Sequence, residues 1–346
     1  MNNLIKKNER IFVAGHNGMV GSSIVRILLG NGYCDLNVGG KLLTENRNKL
    51  DLSSYKDVMD WFEFHKPTVV IMAAAKVGGI YANQTKPFDF ISENLKIQQN
   101  LIEASWKNKV KRLLFLGSSC IYPKATKIPI QEYQLLTSSL EKTNQAYAIA
   151  KISGLKLCEA LRDQHGFDAI TLMPTNLYGP GDNYHSEYSH VMASLIKKFT
   201  LAKLNNLDKI TCWGSGNPLR EFLHVDDFAL ACLKALEIWD PNLPNSPKDN
   251  EGNSLNYLNV GAEEEISIKN LAYKIANLTE YTGEIFWDKS KPDGTFRKKL
   301  DISKIKSLGW EPTISLDNGI RDTINEVTKK VINKSGKEKL PKNFFK

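Results

Sequence analysis

Long apolar runs are missing from this chain. None approaches the roughly 18 residues that a membrane-spanning helix needs, so no such helix is expected. Cysteine is scarce. Cys34, Cys120, Cys158, Cys212 and Cys232 are widely spaced, odd in number and form no CxxC pair, which argues against a disulfide framework and a cysteine zinc site. Reduced thiols in a cytosol fit this usage better. The 23 glycines and 13 prolines are too few for a low-complexity or collagen-like polymer. The start of the chain has basic residues but no apolar core, so no signal peptide is expected. What is present is ordinary for a globular protein: 346 residues, 42% apolar and 24% charged, enough for about two domains of roughly 150 residues. The net charge of +8 comes from scattered lysines, densest in the C-terminal basic tail, which reads as a solvated end and not as a nucleic-acid arm.

Short apolar runs at Arg10–Ala14, Thr68–Ala73, Arg112–Leu116 and Ala169–Met173 predict buried strands. Helical spacing over Ser54–His65, Asp89–Lys109 and Asn144–His165 places helices between them. Strands alternating with helices call for a parallel sheet with crossover helices. After Pro174 the pattern loosens. A helix is expected over Val191–Lys203, a strand near Ile210–Trp213, and an exposed loop at the proline- and asparagine-rich Asp240–Ser254. The remainder reads as a smaller α+β lobe.

Three motifs carry chemistry. The first is Gly15-x-x-Gly18-x-x-Gly21, directly after the first strand, where glycines allow a tight turn and close approach of a pyrophosphate to a helix N-terminus. The second is the region that would choose between a ribose hydroxyl and a 2′-phosphate. Asp35, Glu45 and Arg47 all stand there. Arg47, and hence NADP, is favoured because no acid ends an obvious second strand. The third is Tyr147-x-x-x-Lys151, whose two side chains share a helix face. An ammonium beside a phenol is expected to lower its pKa from about 10 and suit it to protonating a carbonyl oxygen. Ser118, just past the strand Arg112–Leu116, supplies a hydroxyl for the same task.

The stretches GHNGMVGS, AAAKVGGI, FLGSSCIYPK, NQAYAIAKISGLKLCE, MPTNLYGPGDN, WGSGNPLREFLHVDD and SKPDGTFRK resemble the extended short-chain dehydrogenase/reductases. Within that family they are most similar to the branch that epimerises and reduces GDP-4-keto-6-deoxy sugars. The resemblance implies a Rossmann-type, doubly wound α/β domain over residues 1–175, with a returning segment near 210–235. It also implies a C-terminal α+β substrate lobe over 176–335, followed by a basic tail at 336–346. NADP(H) is the implied cofactor and a GDP-4-keto sugar the substrate. A cytoplasmic homodimer joined through Asp89–Lys109 and Asn144–His165 is implied, with no metal, membrane or nucleic-acid partner. Residue by residue it implies Ser118, Tyr147 and Lys151 as the reductive set, and Cys120 and His190 as an acid/base pair for epimerisation. The cofactor positions are Gly15, Gly18, Met19, Val20, Gly21, Arg47, Ala74, Pro174, Asn176 and Leu177, with Tyr147, Lys151 and His190 also in contact. The substrate positions are Lys198, Trp213, Arg220 and Asp293. Lys198 stands where many members have arginine, which keeps the charge but loses the bidentate fork.

The implied chemistry accounts for these residue types. A ketone at C4 acidifies the hydrogens on C3 and C5, so one group must remove a proton and another deliver one from the opposite face. A thiol with pKa about 8.5 and an imidazole near 6.5 suit that exchange near neutral pH. Ser118 and Tyr147 would hold the enolate oxygen and then serve reduction at C4. Two rival functions are a C4 reductase for another GDP-4-keto sugar such as a heptose, and a non-catalytic nucleotide-binding scaffold. The intact Ser118/Tyr147/Lys151 set speaks against the scaffold. Of the other histidines, His16 borders the glycine turn, His65, His165 and His185 read as surface residues, and His224 as structural.

Overall fold

A computed structural model describes residues 3–185, 188–291 and 293–335; the basic tail expected at 336–346 lies outside the described residues. In chain order the elements are β1 (Arg10–Ala14), α1 (Met19–Gly30), β2 (Lys41–Leu43), α2 (Tyr55–His65), β3 (Val69–Met72), α3 (Ile80–Thr85) and α4 (Pro87–Lys107). Then come β4 (Arg112–Leu116), α5 (Gln145–His165), β5 (Ala169–Pro174), β6 (Asn176–Tyr178), α6 (Val191–Leu204), β7 (Lys209–Trp213) and β8 (Leu219–His224). The last are α7 (Val225–Ile238), β9 (Tyr257–Val260), β10 (Glu265–Ser267), α8 (Ile268–Leu278), β11 (Glu284–Asp288), β12 (Arg297–Lys298), α9 (Ser303–Ser307) and α10 (Leu316–Ser335).

Six parallel strands form the main sheet in the order β2-β1-β3-β4-β5-β9. Helices cover this sheet, so β3, β4 and β5 are buried along their whole length, as continuous apolar runs in parallel sheets require. Helix α1 packs against α7, while α2, α4 and α5 pack side by side. The strand order reverses beside β1, and at such a switch point the carboxyl ends of the strands open a ligand crevice. The glycine turn after β1 lies there.

A second hydrophobic cluster marks the smaller lobe, where Met192, Ile196 and Phe199 of α6 meet Leu271 and Ile275 of α8 and Ile320 of α10. Its strands β10, β8, β12 and β6 form one small sheet, and β7 pairs with β11 in another.

The segment expected to return near 210–235 is divided between the two cores. Strands β7 and β8 sit in the small lobe, whereas α7, β9 and the stretch from Leu300 to Trp310 contribute to the main core. β7 alternates between exposed and buried residues, which suits a half-covered strand. β9 is buried along its length despite Asn259, whose side chain accepts from the Tyr122 hydroxyl at 2.6 Å and donates to the Ile130 carbonyl at 2.9 Å. The Asp240–Ser254 stretch is turn-rich, with Asp249 accepting from the backbone N–H groups of Glu251 and Asn253.

Candidate functional site

The glycine turn is built by contact as much as by conformation. Gly15 has φ +87°, and a Cβ on it would lie 2.6 Å from the Ala74 backbone nitrogen at the end of β3. A Cβ on Gly21 would lie 2.1 Å from the Gly15 carbonyl oxygen, so α1 is pressed onto the turn. Gly18 is different. A Cβ there would meet only the Gly15 oxygen at 3.4 Å, an ordinary contact, so its own chain does not forbid a side chain. Gly18 is the N-cap of α1, makes no side-chain cap and is followed by no acid in the first turn. The N–H groups of Met19 and Val20 have no intrahelical partner, as at any helix start. This bare, positively polarised N-terminus fits a dinucleotide pyrophosphate.

The three candidates for cofactor choice are sorted by β2. Asp35 precedes the strand and caps the turn Leu36–Val38, accepting from the Asn37 N–H at 2.8 Å. Glu45 and Arg47 follow it, in a turn tied to the glycine loop by the Asn17 amide donating to Asn46 Oδ1 at 2.8 Å. Glu45 accepts from the Asn46 N–H at 3.0 Å, and Arg47 is exposed.

Beyond β4 the chain turns at Gly117, and Ser118 caps a short 3₁₀ turn, its oxygen accepting from the Cys120 N–H at 3.2 Å. The Ser118 hydroxyl also lies beside Tyr147 on α5, where it favours the phenolate. One turn further along α5, Lys151 is only 4% exposed and its Nζ donates to the Leu116 carbonyl at 2.8 Å. Burial pushes the Lys151 pKa down to about 8. The expected fall in the Tyr147 pKa does not occur. Burial raises it, nearby Cys120 raises it further, and the Ser118 hydroxyl lowers it only in part. Lys151 Nζ is 5.9 Å from the Tyr147 ring centroid and is already bonded to a carbonyl, so its effect on the phenol does not win.

Cys120 is half-buried beside these groups. His190 arrives on a separate element as the N-cap of α6. The residue as a whole is exposed, yet the protein around its ring disfavours the cation and lowers its pKa. Burial lowers the pKa of Arg220 on β8, and the nearby Cys120 and Asp293 raise it in part. Its Nη1 donates to the Leu219 carbonyl at 2.8 Å. Lys198 on α6 donates to the Thr211 carbonyl and is also lowered by burial. Trp213, at the end of β7, is 49% exposed with Lys291 Nζ 5.3 Å from its ring, so it is free to stack and is not a core tryptophan. Asp293 is spent on a loop. Its oxygens accept from the Ser215 N–H at 2.7 Å and hydroxyl at 2.8 Å, fixing the turn that follows Trp213. Asn176 donates to the Glu221 carbonyl at 2.9 Å, joining the end of β5 to β8.

Two supporting residues escape a reading of the sequence. Glu221 is fully buried beside Arg220 and accepts from the N–H groups of Ala262 at 2.8 Å, Glu263 at 2.9 Å and Leu300 at 3.1 Å. Asn94, buried in α4, pins the loop after β3 by accepting from the Lys76 N–H at 2.9 Å and donating to the Lys76 carbonyl at 3.0 Å. Each is a polar residue on an apolar strand or helix face, a visible but unspecific signal. His224 is structural as expected: it caps α7 by accepting from the Asp226 N–H at 3.2 Å.

Residues 11–245 match the model of the NAD dependent epimerase/dehydratase family. The chain is similar to GDP-L-fucose synthase 1 of Arabidopsis thaliana, at 48% identity over 95% of this chain and 96% of that protein. It is similar to the GDP-L-fucose synthase of Escherichia coli K12 at 46% identity, over 91% of this chain and 95% of that one. Among solved structures it resembles a GDP-mannoheptose C4 reductase from Campylobacter jejuni with NADP bound, at TM-score 0.80 and 32% identity over 94% of this chain and 99% of that one.

Proposed function

This chain belongs to the NAD dependent epimerase/dehydratase family, and we propose that it epimerises a GDP-4-keto-6-deoxy sugar at C3 and C5 and reduces it at C4, as a GDP-L-fucose synthase does. The observation that carries this reading is the meeting of Ser118, Cys120 and Tyr147 at one point, with Arg220 within electrostatic reach of Cys120. Bound NADPH supplies the hydride. The Tyr147 phenol, held protonated by burial, gives a proton to the C4 oxygen while Ser118 donates a second hydrogen bond to it. Lys151 adds a positive field as the phenolate forms. In epimerisation, neutral His190 and the Cys120 thiol act on opposite faces. One takes a proton from C3 or C5, the enolate charge goes to the C4 oxygen, and the other returns a proton to the carbon. Lys198 and Arg220 suit the diphosphate, Trp213 stacks on the guanosine, and Asp293 shapes the loop between them.

A reductase for GDP-heptoses is the narrower reading. The 46–48% identity to GDP-L-fucose synthases, against 32% to the heptose reductase, supports the epimerase-reductase. The protein acts as a homodimer through α4 and α5, which flank an open groove of about 400 Å³ lined by Leu95, Gln99, Trp106, Leu157 and Leu161. Its five unpaired thiols suit a reducing cytoplasm. Turnover of a GDP-4-keto-6-deoxy sugar with NADPH, the product identified by NMR, tests the reading. A C4-reduced but unepimerised product supports the heptose-type reductase, and no NADPH oxidation supports a scaffold.

A further inference from the structure

The geometry points to the loop Lys76–Gly79 and helix α3 as the element that positions His190, acting through Gly79 and Tyr188; this rests on the epimerase-reductase reading above. The Gly79 N–H donates to the Tyr188 carbonyl at 2.9 Å. A Cβ on Gly79 would lie 2.5 Å from the carbonyl oxygen of Ser189, the residue before His190. Gly79 has φ −67° and ψ −178°, extended backbone open to any residue, so glycine is required here by proximity and not by conformation. The Tyr188 ring stacks on Tyr81 of α3, with centroids 6.1 Å apart and planes 13° apart, and Lys86 Nζ lies 4.8 Å from the same ring.

The loop is itself fixed from beneath. The Asn83 amide donates to the carbonyls of Gly78 at 2.8 Å and Gly79 at 3.1 Å, and Asn94 holds Lys76. The other side of this loop faces the reductive group: a Cβ on Gly78 would meet Phe90 Cζ at 3.2 Å, and the Phe90 ring makes an edge contact with Tyr147, centroids 6.3 Å apart. One hydrogen-bonded loop therefore sets His190 against the position fixed by Tyr147. Proton exchange at carbon is sensitive to misplacement of this order, whereas Tyr147 and Lys151 keep their own anchors on α5.

The test measures two rates in three variants: uptake of solvent deuterium at C3 and C5 of the 4-keto sugar, and NADPH oxidation with an already epimerised 4-ketone. Gly79→Ala and Tyr188→Leu should each slow deuterium uptake by about ten- to a hundredfold and leave reduction within about twofold. Tyr188→Phe keeps the stack on Tyr81 and should keep wild-type uptake. Unchanged uptake in Gly79→Ala and Tyr188→Leu, or an equal loss of both rates, overturns the inference. Should Gly79→Ala not fold, the contrast between Tyr188→Leu and Tyr188→Phe decides. Absence of uptake in the wild-type enzyme is a separate result; it removes the epimerase reading itself and this inference with it.

Discussion

Cys120 stands close enough to Tyr147 that its charged form would raise the Tyr147 pKa, adding to the larger effect of burial. In the proposed mechanism the group that exchanges protons at carbon and the group that protonates the C4 oxygen thus share one pocket, and a sugar ring bound there would meet both without leaving. The phenol keeps its proton at neutral pH, as a donor to the C4 oxygen must.

Tyr147→Phe retains the ring that packs edge-on against Phe90 and removes only the hydroxyl. The expected kcat for reduction falls by about 10²–10⁴-fold, the usual cost of losing a general acid, while substrate affinity changes little. Steady-state NADPH oxidation measures it, and a kcat within about threefold of wild type would remove Tyr147 from this role.

Arg47 is exposed on the turn after β2, which Asn46 ties to the glycine loop. Arg47→Ala should raise KM for NADPH and leave KM for NADH nearly unchanged, because only NADPH carries the 2′-phosphate. Equal weakening of both cofactors would make the arginine structural.

The protein around His190 lowers its pKa from the ordinary imidazole value, which favours the neutral ring that the proposed mechanism needs to accept a proton. Protonation on acidification removes that base. Deuterium uptake at C3 and C5 should therefore hold from pH 8 to about 6.5 and fall below it, while reduction of an epimerised ketone lacks this fall. A decline in uptake already complete at pH 7 would contradict the neutral ring.

Glu221 accepts three backbone N–H groups at the junction of β8 with β9 and β12. Glu221→Gln turns one acceptor oxygen into an amide that faces an N–H group. The expected loss of stability is about 1–3 kcal/mol, the penalty of an unsatisfied buried donor, seen as a lower urea midpoint with an unchanged m-value. An unchanged midpoint would mean that the three contacts are not held in solution.

Part of the local geometry around the proposed site was legible from residue order. β1 and β4 end where their apolar runs end, and Tyr147 and Lys151 share a helix face. Other features depend on partners distant in the chain. β2 has three residues and carries no pattern of its own, so the sorting of Asp35, Glu45 and Arg47 waited on the structure. β9 is interrupted by Asn259, and its polar atoms are satisfied by residues over a hundred positions away, so its place in the main sheet was hidden. Lys151 is near Tyr147, yet its bond to Leu116 and the weight of burial reverse the expected shift of the phenol. Asp293 offered a carboxylate for substrate, and only the fold reveals that Ser215 takes both of its oxygens.

Solvent exchange during turnover tests the central claim, that one site both epimerises and reduces. Wild-type enzyme, NADPH and a GDP-4-keto-6-deoxy sugar are incubated in deuterium oxide, and the product is examined by NMR. Deuterium is expected at both C3 and C5 of the C4-reduced product, with slower uptake in Cys120→Ser, since a serine hydroxyl is too weak an acid to share protons near pH 7. Full-speed reduction at C4 with no deuterium on C3 or C5 would contradict it and leave Cys120 and His190 without a part in the chemistry.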